Sequence, residues 1–316
     1  MSILTNSPDQ KTFHGTPFPA LVIGTGPLAD FVRDHKHEID AALETTGTVL
    51  FRGFDVPEPD AFDDAINAYG ETGFSYAESL SNAVRVNVTP RVFTANEAPP
   101  DVEIFLHHEM AQTPLYPGKL FFYCEIAPQT GGATPVCRSD IVMEQIAASR
   151  ADLAEKFETL GLRYTHTMPN APDPESGQGR SWRDTLSVED REDAESRLSG
   201  LGYDWQWLEN DNLRVTSPVL DAVKTLADGR KVFFNQLIAA FRGWSDARND
   251  PNKSITFGNG DPIDQDDMNV IIEIADKVTF DLQWHAGDVA LLDNYQVMHG
   301  RRPFEGKRRV LASLIG

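Results

Sequence analysis

Gly287-Asp288-Val289-Ala290-Leu291-Leu292-Asp293-Asn294-Tyr295-Gln296-Val297-Met298-His299-Gly300-Arg301 opens on a short apolar run, Asp288 to Leu292. That run has the length and composition of a buried strand, and His299 follows just beyond it. Similar runs lie on either side, from Lys277 to Trp284 and from Arg309 to Leu314, with Leu213 to Thr216 and Lys231 to Phe234 further upstream. A second group, separated by proline and glycine, comprises Val84 to Val88, Arg91 to Thr94, Ile104 to His108 and Leu120 to Ile126. The strands therefore come in two halves. Between them, Ile141 to Leu160 and Ser187 to Leu201 read as helical, the latter with a capping box at Ser187-Val188-Glu189-Asp190.

At the N-terminal end, helical spacing runs from Leu28 to Thr45 and stops near Gly47. A short strand, Thr48 to Phe51, and a helix, Pro59 to Tyr69, come next. Many short antiparallel-type strands with few βαβ signals predict a mainly β protein with flanking helices (α+β). Its core is expected to be a double-stranded β-helix, or jelly roll. The expected organisation is one domain over 1–316, with a mainly helical insertion at about 141–210 between the two halves of the sheet.

A chain of 316 residues can bury a full core. Its net charge of −20 repels phosphate backbones and anionic lipid surfaces, so neither nucleic acid nor membrane is an expected partner. The acidic stretches Asp184 to Glu195 and Asp261 to Asp267 read as solvated faces. Two cysteines, Cys124 and Cys137, build no disulfide framework, and the first thirty residues lack the pattern of a signal peptide. A cytoplasmic protein acting on a small molecule is expected; its oligomeric state is not legible.

Leu106-His107-His108-Glu109-Met110 lies at the end of a predicted strand. In extended chain, residues i and i+2 point to the same side, so His107 and Glu109 converge while His108 faces away. A His-x-Glu triplet alone arises by chance and needs a partner; His299 supplies one. Two imidazoles and one carboxylate on one face form the triad of non-haem Fe(II) oxygenases, which leaves coordination positions for a 2-oxo acid and dioxygen. The distal carboxylate of 2-oxoglutarate must be paired where it is buried. Arg309 is the predicted guanidinium, with Thr134 as an assisting hydroxyl and Arg308 as the competing anchor.

Several segments resemble the taurine dioxygenase family of Fe(II)/2-oxoglutarate oxygenases, in particular its clavaminate-synthase-like branch. They are Gly47 to Phe54, Phe105 to Met110, Pro117 to Ala127 leading into Thr130 to Pro135, Phe234-Asn235-Gln236, and Trp284 to Leu311. The resemblance implies iron ligands at His107, Glu109 and His299, and 2-oxoglutarate held by Thr134 and Arg309. It implies a hydroxylase of a small polar, amino-acid-derived compound in specialised metabolism, with decarboxylation of 2-oxoglutarate to succinate and CO2. Desaturation and epoxidation share every one of these residues.

The family member acting on a sulfonate carries a second arginine where this chain has Ser313, which argues against a taurine-like substrate. Halogenating members lack the carboxylate ligand that Glu109 supplies here. Asn96, Asn235, Gln236 and Ser313 are the candidates for substrate contact, with Arg85 and Arg242 as possible partners of an acidic group. A zinc hydrolase on the same triad is the rival from another class, and the paired Arg309 and Thr134 speak against it.

Overall fold

The computed structural model describes residues 2–74, 80, 86–95, 98–173, 179–244, 248 and 250–316. The first long helix, Leu28–Thr46, buries the stripe Leu28, Val32, Ile39, Ala42 and Leu43. It ends where Gly47 takes φ 72 and donates its N–H to the Leu43 carbonyl. That left-handed conformation suits a residue without Cβ. The helix Pro59–Tyr69 starts with proline in its first turn and ends at Gly70, φ 82.

Ten strands, numbered in chain order, make two sheets. They are β1 Ala20–Ile23, β2 Thr48–Arg52, β3 Phe93–Thr94, β4 Ile104–His107, β5 Lys119–Ile126, β6 Thr134–Arg138, β7 Phe280–Leu282, β8 Val289–Asp293, β9 Val297–Arg301 and β10 Arg309–Ile315. The larger sheet has the order β1-β2-β8-β5-β10-β3, antiparallel except at β1–β2. The smaller sheet, β7-β6-β9-β4, is antiparallel throughout.

Alternation along the central strands explains their unbroken apolar runs. Phe121 and Tyr123 of β5, Val289 and Leu291 of β8, and Leu311 and Ile315 of β10 join the cluster beneath the first two helices. The intervening Leu120, Phe122, Ala290, Leu292, Ala312 and Leu314 share a second cluster with Val136, Leu282 and Val297 of the smaller sheet. Strands buried on both faces lose the polar alternation of a surface sheet. Each fully buried leucine or phenylalanine contributes about 1.5 to 3 kcal/mol.

Helices Ser139–Ser149, Ala151–Leu160 and Gln265–Val278 supply residues to a third cluster, with Met298 and Leu106 from the smaller sheet. The insertion is not only helical. Leu162–Met168, Asp204–Trp207 and Leu213–Thr216 form a further sheet with Ile255–Phe257.

Two local expectations change. Most of the strand expected over Lys277 to Trp284 shortens to β7, because the preceding Gln265–Val278 is a helix capped by Asp264, whose side chain accepts from Asp266 N–H. The acidic residues at its start had masked its apolar stripe Met268, Ile271, Ile274, Ala275 and Val278. The capping box at Ser187 also fails. Ser187 closes the short helix Trp182–Leu186 at φ 52, and Asp190 caps the next helix, Arg191–Gly200. Of the run Val84 to Val88, residues 84 and 85 lie outside the described residues.

Candidate active site

Strands β4 and β9 are neighbours in the smaller sheet, and His107 and His299 are directly opposed across the pair. Their ring centroids lie 4.4 Å apart. Glu109, two residues past His107, returns to the same side, and Met110 then turns the chain at φ 59. His107 Nδ1 is 2.8 Å from the Phe105 carbonyl; donating there, it leaves the Nε2 lone pair for a metal. Nε2 of His107 and of His299 lie 4.0 and 3.5 Å from Glu109 Oε2. The three donor atoms fall within 4.8 Å of one another and could hold a metal ion. Glu109 and His299 are 6% and 5% exposed, and a carboxylate so buried suits a divalent cation.

The surroundings fix the backbone of Glu109. Asn294 in the β8–β9 connection accepts from Glu109 N–H through Oδ1 at 2.8 Å, and its Nδ2 donates to the carbonyls of Glu109 and Pro117 at 3.0 and 2.8 Å. The intervening His108 faces away, as alternation requires. Its Nδ1 meets the Asn294 carbonyl, and its Nε2 lies 2.7 Å from Ser139 Oγ and 3.0 Å from the Phe233 carbonyl. Burial pushes this imidazole down to about 3, so it stays neutral.

The triad opens into a cavity of about 340 Å³, whose wall also carries Thr134 and Arg308. Trp284 Nε1 donates to Thr134 Oγ1 at 2.9 Å, which orients the hydroxyl. Arg308 donates Nε–H to the Gly132 carbonyl at 3.0 Å. Among the described residues no carboxylate lies within ion-pair distance of it. Burial, with the positive charge of Arg301 nearby, pushes its pKa down to about 10. A partly buried guanidinium without counter-charge is matched to an incoming carboxylate. Gly132, at φ 67, permits this packing: a Cβ there would lie 2.7 Å from Pro128 Cγ and 3.1 Å from Arg308 Cδ.

Residues 13–314 match the family described as "Taurine catabolism dioxygenase TauD, TfdA family". The chain belongs to that family. As a member it is an Fe(II)/2-oxoglutarate dioxygenase, an oxidoreductase using Fe(II), 2-oxoglutarate and O2. A clavaminate synthase-like protein of Arabidopsis thaliana is 39% identical over 322 residues, covering 98% of this chain and 97% of its own. The dapdiamide synthesis protein DdaC of Enterobacter agglomerans is 28% identical over 320 residues, covering 95% and 92%. A solved structure described as a putative alpha-ketoglutarate-dependent taurine dioxygenase from Burkholderia xenovorans superposes with a TM-score of 0.56. It is 16% identical and covers 94% of this chain and 88% of its own.

Within this TauD, TfdA family site, Arg309 is not where the sequence reading put it. Its side chain is 43% exposed and pairs with Glu125 at 2.5 Å. Arg308 and Val310 both line the cavity, so the residue between them points outward. A register shift between Arg309 and Val310 accompanies the change from turn to strand.

Ser313 is likewise corrected. It lies on β10 between the inward Ala312 and Leu314, so it shares the face of Leu311 and Ile315 under the helices, away from the cavity. The position four beyond Arg308 is Ala312, which is again no second arginine.

Asn235 is 2% exposed and structural. Its Nδ2 donates to the Ala222 carbonyl and its Oδ1 accepts from Leu237 N–H. Gln236 does line the cavity, and its Nε2 donates to the His108 carbonyl at 2.8 Å. Asn96 and Arg85 lie outside the described residues, and Arg242 pairs with Asp276. His285 is exposed in the connection before β8.

Sequence reasoning passed over Asn294 and gave Trp284 no role of its own. No periodicity marks a loop asparagine that clasps a distant peptide. Trp284 did stand inside the motif from which the family resemblance was drawn.

Proposed function

We propose that this dioxygenase hydroxylates an unactivated C–H bond of a small, amino-acid-derived substrate in specialised metabolism. In this reading His107, Glu109 and His299 hold Fe(II), and Thr134 and Arg308 hold 2-oxoglutarate. The observation that carries the assignment is the partly buried Arg308 guanidinium, without counter-charge among the described residues, in the same cavity as the triad. The names of two relatives, a clavaminate synthase-like protein and a dapdiamide synthesis protein, support the substrate class.

Bound Fe(II) supplies the activation of O2, coupled to decarboxylation of 2-oxoglutarate to succinate and CO2. The side chains prepare the site for it. Glu109 offers a negative charge to balance the metal, while Arg308 pairs the distal carboxylate and Thr134, oriented by Trp284, donates a hydrogen bond to it. Phe122, with its ring centroid 5.3 Å from that of His299, shields the ligand from water.

The two sheets are read as a double-stranded β-helix, or jelly-roll, core of one domain spanning 1–316. The inner cluster to which both sheets contribute supports this. A cytoplasmic location completes the reading, in keeping with Cys124 and Cys137 as buried free thiols.

Anaerobic titration of the protein with Fe(II) and 2-oxoglutarate tests the assignment. A weak visible charge-transfer band is expected in the native protein, and it should be lost in Glu109→Ala. Turnover of 2-oxoglutarate at the native rate in Glu109→Ala would refute the ligand set.

A further inference from the structure

The peptide that joins His108 to Glu109 is held at both edges. Asn294 Oδ1 accepts from its N–H, and Gln236 reaches its carbonyl, with Nε2 donating to the His108 oxygen at 2.8 Å. Gln236 is itself fixed between the strand Lys231–Phe233 and the helix Leu237–Gly243. Its backbone N–H donates to the Tyr164 hydroxyl at 3.3 Å, and its carbonyl accepts from Ala240 N–H at 2.9 Å. His108, Tyr164, Asn235 and Leu237 around it are all buried.

This anchoring decides which way the side-chain amide lies. A peptide carbonyl only accepts, so the NH2 end must face His108 and Oε1 is the other end. Oε1 accepts from no group of the described residues and, unlike the orphaned oxygens of Thr185 and Ser313, it keeps accessible surface. Gln236 is 6% exposed and lines the cavity of the triad. One acceptor therefore stands open on a fixed support, beside the peptide that carries Glu109.

We propose that Gln236 determines which substrates this dioxygenase accepts: its Oε1 receives an N–H or O–H donor of the substrate at the metal end of the cavity. The inference rests on the dioxygenase reading and narrows it. A substrate oxidised here carries such a donor, an amide, amine or hydroxyl, near the carbon that loses hydrogen. A group with acceptors alone, such as a ketone or an ester, would face Oε1 with both oxygens unpaired and out of water, which disfavours it. Met168, Leu186, Leu198 and Val215 of the same lining belong to one apolar cluster, which suits an apolar body beyond the donor.

Phenylacetamide and phenylacetone test this, since they share shape and carbonyl and differ in the NH2 donor. Each is titrated into the anaerobic protein loaded with Fe(II) and 2-oxoglutarate, and the shift of the charge-transfer band gives its affinity. The band before any probe is added reports the dioxygenase site. Its absence in the native protein would overturn that reading and this one with it, whereas a failure of this inference alone leaves the band in place. The native protein is expected to bind the amide about tenfold more tightly than the ketone.

Gln236→Leu should erase that preference, cutting the amide-to-ketone ratio about tenfold. Leucine also releases the His108 carbonyl, but a displaced peptide alone would weaken both probes together and leave the ratio unmoved. Gln236→Glu, which keeps an acceptor of the same reach, should retain the preference. Equal affinities in the native protein, neither probe binding, a ratio unmoved in Gln236→Leu, or a preference lost in Gln236→Glu would each overturn the proposal.

Discussion

Replacing Arg308 by leucine should separate two effects that most active-site substitutions confuse. The guanidinium is held at about 10 by burial, against an ordinary value of about 12.5, a difference that corresponds to roughly 3 kcal/mol against the charged form in the folded protein. Both values lie above neutrality, so this cost is constant across the ordinary working pH range and disappears only as the pH rises through them. Without co-substrate, Arg308→Leu should therefore unfold at a higher temperature than the native protein.

In the presence of co-substrate the order reverses. Leaving a buried carboxylate without its partner costs about 3 to 5 kcal/mol, so 2-oxoglutarate should bind about 150- to 4,000-fold more weakly. Arg309→Leu removes a partly exposed pair with Glu125 and should cost about 1 kcal/mol or less. Anaerobic titration of the Fe(II) protein, read at the charge-transfer band, measures the affinities, and calorimetry measures the melting. If Arg309→Leu loses 2-oxoglutarate binding while Arg308→Leu keeps it, the reasoning from strand alternation is wrong.

Asn294→Ala should weaken Mn(II) or Fe(II) binding by about 10- to 100-fold while the fold survives, because the amide positions Glu109 through both backbone groups. Equilibrium dialysis alongside circular dichroism checks it. Trp284→Phe removes one donor to Thr134 Oγ1 and should raise the KM for 2-oxoglutarate by about 3- to 10-fold with little change in metal affinity.

Asp140 is 6% exposed beside the buried Arg138 and the partly exposed Arg230. Burial alone would push its carboxyl up, but hydrogen bonds and charge from Arg138 and then Arg230 hold it below the usual carboxylate value. Asp140→Asn should cost about 3 to 5 kcal/mol at neutral pH. The gap between variant and native stability should close as the pH falls below about 4 and through the lower folded value, since the native contribution is then titrated away. Urea titrations at several pH values would show a constant gap if the network contributes nothing.

The metal site was legible because it obeys a local rule. Period-two alternation places His107 and Glu109 on one side of a strand, and the apolar run before His299 identifies its surroundings. The same rule applied backwards along β10, from Leu314 through Ala312 to Val310, would have reached Arg308 instead of Arg309.

What stayed hidden depends on contacts distant in sequence. Asn294 is 185 residues from Glu109, and nothing near it in the chain announces that bond. The helix Gln265–Val278 was obscured for another reason, since its acidic first turn resembles a solvated loop until the buried stripe behind it is seen. Helical and extended readings of short apolar runs compete on nearly equal terms, and tertiary burial decides between them.

The direct opposition of His107 and His299 across β4 and β9 has a consequence for the life of the protein in the cell. A slip of one residue between these strands would send one imidazole to the opposite face, and the site would no longer close around a cation. Metal capture is thus a test of register that only a correctly paired chain passes. Ferrous iron held loosely in the presence of oxygen damages what surrounds it, and a chain caught halfway to its fold offers that chemistry no seat.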